Sequence, residues 1–191
     1  LSRTGLDTQR FAKVVAKQPA VPADIGGPLI PMKGQDAVQF EKSLVAAQAY
    51  LKEAESMTKL VRSLPVRRPL PHSYETSSTF GTRIDPFTRG YAMHSGLDFR
   101  ASTGTPVRVT GDGKVVHADW QGGYGRLVEV DHGFGLTTRY AHLSSIDVNV
   151  GDTIRKGDIV GEVGSSGRST GPHLHYEVRI DEEAVDPVTF L

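Results

Sequence analysis

The chain has 191 residues, with 22 Lys and Arg against 22 Asp and Glu, 7 His and no Cys. A neutral chain with 38% hydrophobic residues is neither a disordered polyelectrolyte nor a protein that holds nucleic acid by bulk charge, and no run of ~18 apolar residues is present to span a membrane. The absence of Cys removes disulfides, thiolate metal ligands and thiol nucleophiles together, so a metal or catalytic site must rest on His, Asp, Glu, Ser or Tyr.

Two parts of the chain are built differently. Residues 1–79 carry 11 basic and 7 acidic residues, whereas 80–191 carry 11 and 15; 17 of the 21 Gly and every His except His72 lie in the second part. The chain opens on Leu1 with no signal-like start, as expected of a processed product or a fragment. Residues 1–35, rich in Pro, Gly, Ala and Lys without periodicity, read as extended or poorly ordered chain. Over 36–64 the apolar positions Phe40, Leu44, Ala47, Leu51, Ala54, Met57, Val61 and Leu64 repeat at three and four residues with no Gly or Pro between them, and Asp36 can cap the start. The spacing predicts one amphipathic helix, whose stripe must be buried on its own domain or on another chain. Pro65, Pro69 and Pro71 stop it, and 65–79 reads as a Pro-rich linker.

Beyond residue 80 the period becomes two. Short runs rich in Val, Ile and Thr at 105–109, 113–118, 127–131, 136–142, 159–163 and 174–180 alternate with Gly and Asp turns. This pattern predicts a mainly β fold, an antiparallel sandwich or open barrel with an N-terminal helical arm.

The chemistry of this part lies in its histidines. Along 173–180, His173, His175, Glu177 and Arg179 alternate with Leu174, Tyr176, Val178 and Ile180, so a strand presents both His on one face. An isolated His-x-His is more often an outer polar strand face, but Gly171 and Pro172 directly before it indicate a fixed backbone at a cleft. His94 and Asp98, four apart across Gly96, read as a loop running into a strand. Two imidazoles and a carboxylate make the three-ligand set that leaves one position open on tetrahedral zinc. With both His173 and His175 available there is one candidate more than needed, and the spare His would serve as a base or a transition-state donor. Strand alternation places Tyr140 and His142 on one face, so His142 is a further candidate for the cleft. His72, His117 and His132 have no companion motif and read as surface or structural residues.

The segments Phe80-Gly81-Thr82-Arg83, His94 to Asp98, Gly123-Tyr124-Gly125, Tyr140-Ala141-His142-Leu143, the Gly-punctuated run from Val150-Gly151-Asp152 to Gly164, and Thr170-Gly171-Pro172-His173-Leu174-His175 resemble, in order and spacing, the lysostaphin/LytM family of zinc metalloendopeptidases. The resemblance covers 80–191 and leaves 1–79 untouched. It implies an antiparallel sheet forming a groove, and cleavage of peptide cross-links in bacterial cell-wall peptidoglycan. It also implies one Zn²⁺ held by His94, Asp98 and His175, with His142 and His173 as the catalytic histidines, and a periplasmic or cell-surface location. All five positions match, although some relatives have lost ligands and act only as activators of other wall hydrolases. Partners expected on this reading are peptidoglycan peptides, and a second copy or a regulatory protein at the 36–64 helix. A lipoyl- or biotinyl-type carrier is disfavoured, because Lys114 and Lys156 lack the surrounding motif of such domains.

Overall fold

A computed structural model describes residues 34–71 and 74–191; the segment expected to be extended, 1–35, and His72 lie almost wholly outside the described residues. The described chain divides into a helical unit up to Val61 and a compact unit from Arg62 to Leu191.

The helix α1, Gln35–Ser63, matches the expected span to within one residue at each end. Its interior lacks Gly and Pro, Ser56 and Thr58 donate their hydroxyls back to the carbonyls of Lys52 and Ala54, and the residue before Pro65 is disfavoured in helical geometry. Phe40, Leu44, Leu51, Met57 and Val61 from the expected stripe are exposed.

The larger unit is an antiparallel β structure. Its strands are β1 Thr76–Ser78, β2 Gly81–Ile84, β3 Tyr91–His94, β4 Leu97–Arg100, β5 Pro106–Arg108, β6 Gly113–Gln121, β7 Gly125–Asp131, β8 Leu136–Ile146, β9 Thr153–Ile154, β10 Ile159–Val163, β11 His173–Ile180 and β12 Glu183–Val185. The main sheet runs β1-β4-β11-β8-β7-β6-β9, with β12 also pairing β11 and β10 linking β8 to β5, while β2 and β3 form a separate hairpin. The non-site faces of β4, β8 and β11 meet in a core that includes Phe99, Leu174, Tyr176, Val178 and Tyr140. Tyr140 and Tyr176 carry their hydroxyls into this core because both reach Thr110 Oγ1 at 3.0 Å, so burial leaves no unpaired phenol.

The segment expected to be a linker differs from that reading. Pro69 accepts a backbone hydrogen bond from Arg108, Leu70 is buried, and 76–78 is strand β1, paired with β4. Its Pro residues stop the helix, and the freed backbone then bonds to the sheet instead of to water.

Candidate metal centre

Antiparallel register builds the first two corners of the site. Asp98 on β4 lies directly opposite His175 on β11, and the same register sets Phe99 against Leu174 on the core side. His94, the last residue of β3, is brought over them by the Ser95-Gly96 turn. Gly96 is obligatory there, because a Cβ would collide with the backbone carbonyl of Tyr176.

His94 Nε2, Asp98 Oδ1 and His175 Nδ1 form a near-equilateral triangle with edges of 3.1, 3.1 and 2.9 Å. All three residues are buried, and they are the group among the described residues that can hold a metal ion. The other ring nitrogens decide which atoms carry protons. His94 Nδ1 meets the carbonyl of Thr79 at 2.7 Å, and His175 Nε2 meets Glu177 Oε1 at 3.0 Å. A carbonyl or carboxylate oxygen only accepts, so those nitrogens donate and the neutral rings turn lone pairs toward one another and toward Asp98. Three acceptors converge with no donor between them. Such an arrangement calls for a cation, and ligand atoms on a tetrahedral ion with bonds of ~2.0–2.1 Å stand about 3.3 Å apart, close to the edges seen.

The charges around the triangle agree. Burial favours the protonated Asp98 carboxyl, yet a His175 or His94 ring that takes up a proton on the nitrogen facing it supplies a hydrogen bond and a charge that outweigh burial and hold Asp98 well below the usual carboxylate range. Burial likewise disfavours charge on His175, but its bonds to Asp98 and Glu177 win and raise its proton affinity above the ordinary value. The centre attracts positive charge, whether as a proton or as a metal.

Glu177 is the buried anchor of this arrangement. Its side chain is completely inaccessible; Oε1 accepts from His175, from Tyr124 at 2.9 Å and from Ser95, and Oε2 accepts from Arg179 at 2.9 Å. Burial would raise its carboxyl, but the His175 bond and charge, with the Ser95 and Tyr124 hydroxyls, bring it down to about 2. Sequence reasoning placed Glu177 on the polar face of the strand without assigning it a role. The usable signal was its position two residues from His175 on the same face.

His142 and His173 stand beside the triangle, with ring centroids 4.8 Å apart, and His142 lies 5.8 Å from His175. His142 Nδ1 donates to the carbonyl of Ser166 at 2.8 Å and His173 Nδ1 to that of Gly171 at 2.7 Å, which leaves each Nε2 unprotonated in the neutral ring. His173 Nε2 is 3.8 Å from Asp98 Oδ1. Burial, then the neighbouring His173 and His175 charges, lower the His142 pKa to about 4 despite the Ser166 bond.

The expectation that Tyr140 and His142 share a face is corrected. Tyr140 opposes Tyr176 and is buried in the core, whereas His142 lines the groove with His173 and His175. His142 has φ = 61°, a left-handed conformation that breaks strand alternation at that residue and turns its ring to the opposite face. All five residues singled out by the sequence thus line one cavity of about 310 Å³. Of the remaining histidines, His132 is structural, bonded to the carbonyl of Asp112 and to Thr138 Oγ1 at 2.8 Å each.

The cavity walls are loops. Gly125 and Gly167, both at positive φ, let the 121–125 and 164–168 segments pack backbone to backbone, and Arg168 N donates to the carbonyl of Gly123. Arg168 also spans to the opposite wall, where Nη2 meets Asp85 Oδ1 and Oδ2 at 2.9 and 2.7 Å and the guanidinium lies 4.6 Å from the Phe87 ring centroid. Neither Asp85 nor Arg168 was legible as part of a site in the sequence.

A buried two-His, one-carboxylate centre flanked by two further histidines at the floor of a groove on an antiparallel sheet defines a metallopeptidase-type site. Residues 92–187 match the model of peptidase family M23, and the chain belongs to that family. It is 47% identical over 113 residues to the DD-carboxypeptidase/endopeptidase Mpg of Neisseria meningitidis serogroup B, a match covering 59% of this chain and 26% of that protein. It is 38% identical over 127 residues to the murein hydrolase activator EnvC of Escherichia coli, covering 66% and 28%. The chain thus spans about a quarter of the length of these curated relatives. Among solved structures it is similar to the catalytic domain of lysostaphin from Staphylococcus simulans, with a TM-score of 0.57 and 36% identity over 61% of this chain and 91% of that one. A zinc-containing peptidase from Vibrio cholerae gives 0.59 and 36% over 62% and 37%.

Proposed function

We propose that this chain is a zinc-dependent endopeptidase that hydrolyses peptide cross-links of bacterial peptidoglycan outside the cytoplasm. The observation that carries the reading is the triangle of three acceptor atoms, with two histidines beside it whose free Nε2 atoms line the same cavity. His94, Asp98 and His175 are the residues that would hold the ion. Bound zinc supplies Lewis-acid chemistry, polarising a carbonyl and activating water.

The chain's own residues supply the proton handling. His142 and His173 each hold Nδ1–H against a backbone carbonyl, which fixes the ring and leaves Nε2 as a base. One takes the proton of the attacking water and, once charged, becomes the acid that protonates the leaving amine, while the other is a second fixed imidazole facing the same cavity. Among the described residues the carboxylates that line the cavity are both engaged: Asp98 belongs to the triangle and Asp85 is held by Arg168. This favours a histidine as the base. The exposed apolar positions Phe40, Leu44, Leu51, Met57 and Val61 of α1 support a role for the helix in self-association or in binding a regulatory partner.

The test is digestion of isolated peptidoglycan by the zinc-loaded protein, with mass spectrometry of the muropeptides released. Muropeptide release that stops on chelation and returns with zinc supports the reading. A zinc-loaded protein that cuts nothing yet stimulates another wall hydrolase would establish the activator reading, the role that the murein hydrolase activator EnvC has by name.

A further inference from the structure

Two guanidinium groups line the cavity over the His94, Asp98 and His175 triangle, and they are in opposite states. Arg168 is neutralised, with both Asp85 oxygens on one nitrogen and the Phe87 ring against its face. Arg83, on β2, is open. Its Nη1 contacts Ser78 Oγ and lies 3.4 Å from Asp98 Oδ2, while Nε and Nη2 have no partner among the described residues and 37% of the side chain is exposed. The Asp98 charge that Arg83 faces is already shared with His94 and His175. Arg83 therefore keeps both charge and donors for a ligand.

Its position says which ligand. Asp98 turns Oδ1 into the triangle and Oδ2 outward to Arg83, so the guanidinium stands immediately beside the place where a scissile carbonyl would be held. Arg83 also lies where that cavity meets a second one, of about 740 Å³, which continues past Arg100 along β1 and β4. Asp98 is the acidic side chain shared by both cavities, and Arg100 adds a second cation to the outer one. In a peptide, an α-carboxylate on the residue that carries the leaving amine sits three bonds from the scissile carbonyl carbon, within about 5 Å. That span is of the same order as the reach from the triangle through Asp98 to Arg83.

We propose, resting on the hydrolase reading above, that Arg83 is a specificity residue that binds a free α-carboxylate on the residue carrying the leaving amine. A bond inside an ordinary main chain has an amide at that place. A free carboxylate occurs there only when the leaving residue is C-terminal or when the leaving amine sits on a side-chain carbon that itself bears a carboxylate, as in a cross-link through a diamino diacid. Arg83 thereby selects cross-links and chain ends over internal main-chain bonds such as those within a glycine bridge. Guanidinium suits the task because its flat fork can keep Nη1 on Ser78 and Asp98 while Nε and Nη2 meet the incoming carboxylate.

The experiment compares two substrates on the zinc-loaded protein: a cross-linked muropeptide dimer with the carboxylate beside the scissile bond free, and the same dimer with that group as a carboxamide. The wild-type protein is expected to favour the acid in kcat/KM by about tenfold or more, mostly through KM, as a charge-assisted hydrogen bond implies. Arg83→Gln should bring the ratio to near one, and Arg83→Lys should leave an intermediate ratio. A role confined to positioning Asp98 would instead lower both substrates alike and reduce zinc content, with the ratio intact in both variants; that result overturns the proposal. Equal cleavage of the two substrates by the wild-type protein overturns it while leaving the hydrolase reading in place. A zinc-loaded wild-type protein that cuts neither removes the hydrolase reading and the proposal together.

Discussion

Glu177 offers a direct test of how the candidate centre is held. Its Oε1 lies 3.0 Å from His175 Nε2, and among the described residues it is the acceptor that holds that proton and so keeps Nδ1 free toward Asp98. Losing such an outer partner of a metal-binding histidine typically weakens metal affinity by ~10- to 100-fold, or about 1.4–2.7 kcal/mol. Truncation carries a second cost. Glu177→Ala would leave Arg179 and the Ser95 and Tyr124 hydroxyls without their acceptor, and breaking a buried ion pair from one side costs ~3–5 kcal/mol. Glu177→Gln separates the two effects, because its amide oxygen can still accept from His175 while its NH₂ is set against Arg179. We expect zinc affinity to fall about tenfold in Glu177→Gln, which at saturating metal removes ~1.4 kcal/mol of zinc-dependent stabilisation. Glu177→Ala should fall further and should also melt earlier when metal-free. Competition against a chromophoric chelator gives the affinity, and thermal melts with and without zinc give the two stabilities. A folded Glu177→Gln protein with wild-type zinc affinity and activity would refute the reasoning.

Asp98→Ala removes the one anionic corner of the triangle and should abolish zinc retention after dialysis; full metal content by elemental analysis would exclude the ligand set. His142→Ala should retain zinc while losing ~10²- to 10⁴-fold in rate, the usual cost of removing a positioned acid, base or oxyanion donor; loss of metal in step with activity would make His142 a ligand. In the metal-free protein the His142 ring should stay neutral down to about pH 4 by NMR titration. Because this folded pKa lies below the ordinary 6.5, its contribution to stability is present above 6.5 and is lost as the pH falls through 4; a midpoint near 6.5 would contradict the burial argument. Removal of residues 1–61 should leave the β unit folded, whereas removal of 1–71 also deletes the carbonyls that pair with Asp112 and Arg108 and the buried Leu70. The further loss should be ~4–5 kcal/mol, about 2–3 from Leu70 and about 1 from each hydrogen bond, and equal melting temperatures for the two truncations would restore the linker reading.

Much of the sheet was legible because the strands from β5 to β11, apart from the two-residue β9, either alternate or form short apolar runs between Gly and Asp turns. The expected spans fall within or beside the observed strands. The region from Tyr74 to Arg100 was not legible in the same way. β1 to β4 are three or four residues long, too short for a period of two to stand out; β4 is held by β11, far along the chain, β1 by β4, and β2 and β3 by each other. The proline-bearing segment before them misled for a related reason. Pro stops a helix but says nothing about what its neighbours do next, and here the carbonyl of Pro69 found a sheet partner more than thirty residues away.

The site divides along the same physical line. His173, His175 and Glu177 lie on one strand, so the period of two alone puts them on one face. His94 and Asp98 came together on the motif, while the turn that closes them depends on Gly96 passing the Tyr176 carbonyl, a contact made across the sheet. His142 is the instructive case, since alternation from Tyr140 led to the right cleft through the wrong geometry. Regular alternation would have kept His142 on the core side with Tyr140; the left-handed backbone at His142 turns it out, and Ser166 then pins the ring with a carbonyl. A non-glycine residue in that conformation is strained by ~1–3 kcal/mol and persists only where surrounding structure fixes it. Its place here, beside the triangle and next to His173, means that the sheet accepts a local cost to set one more imidazole into the groove.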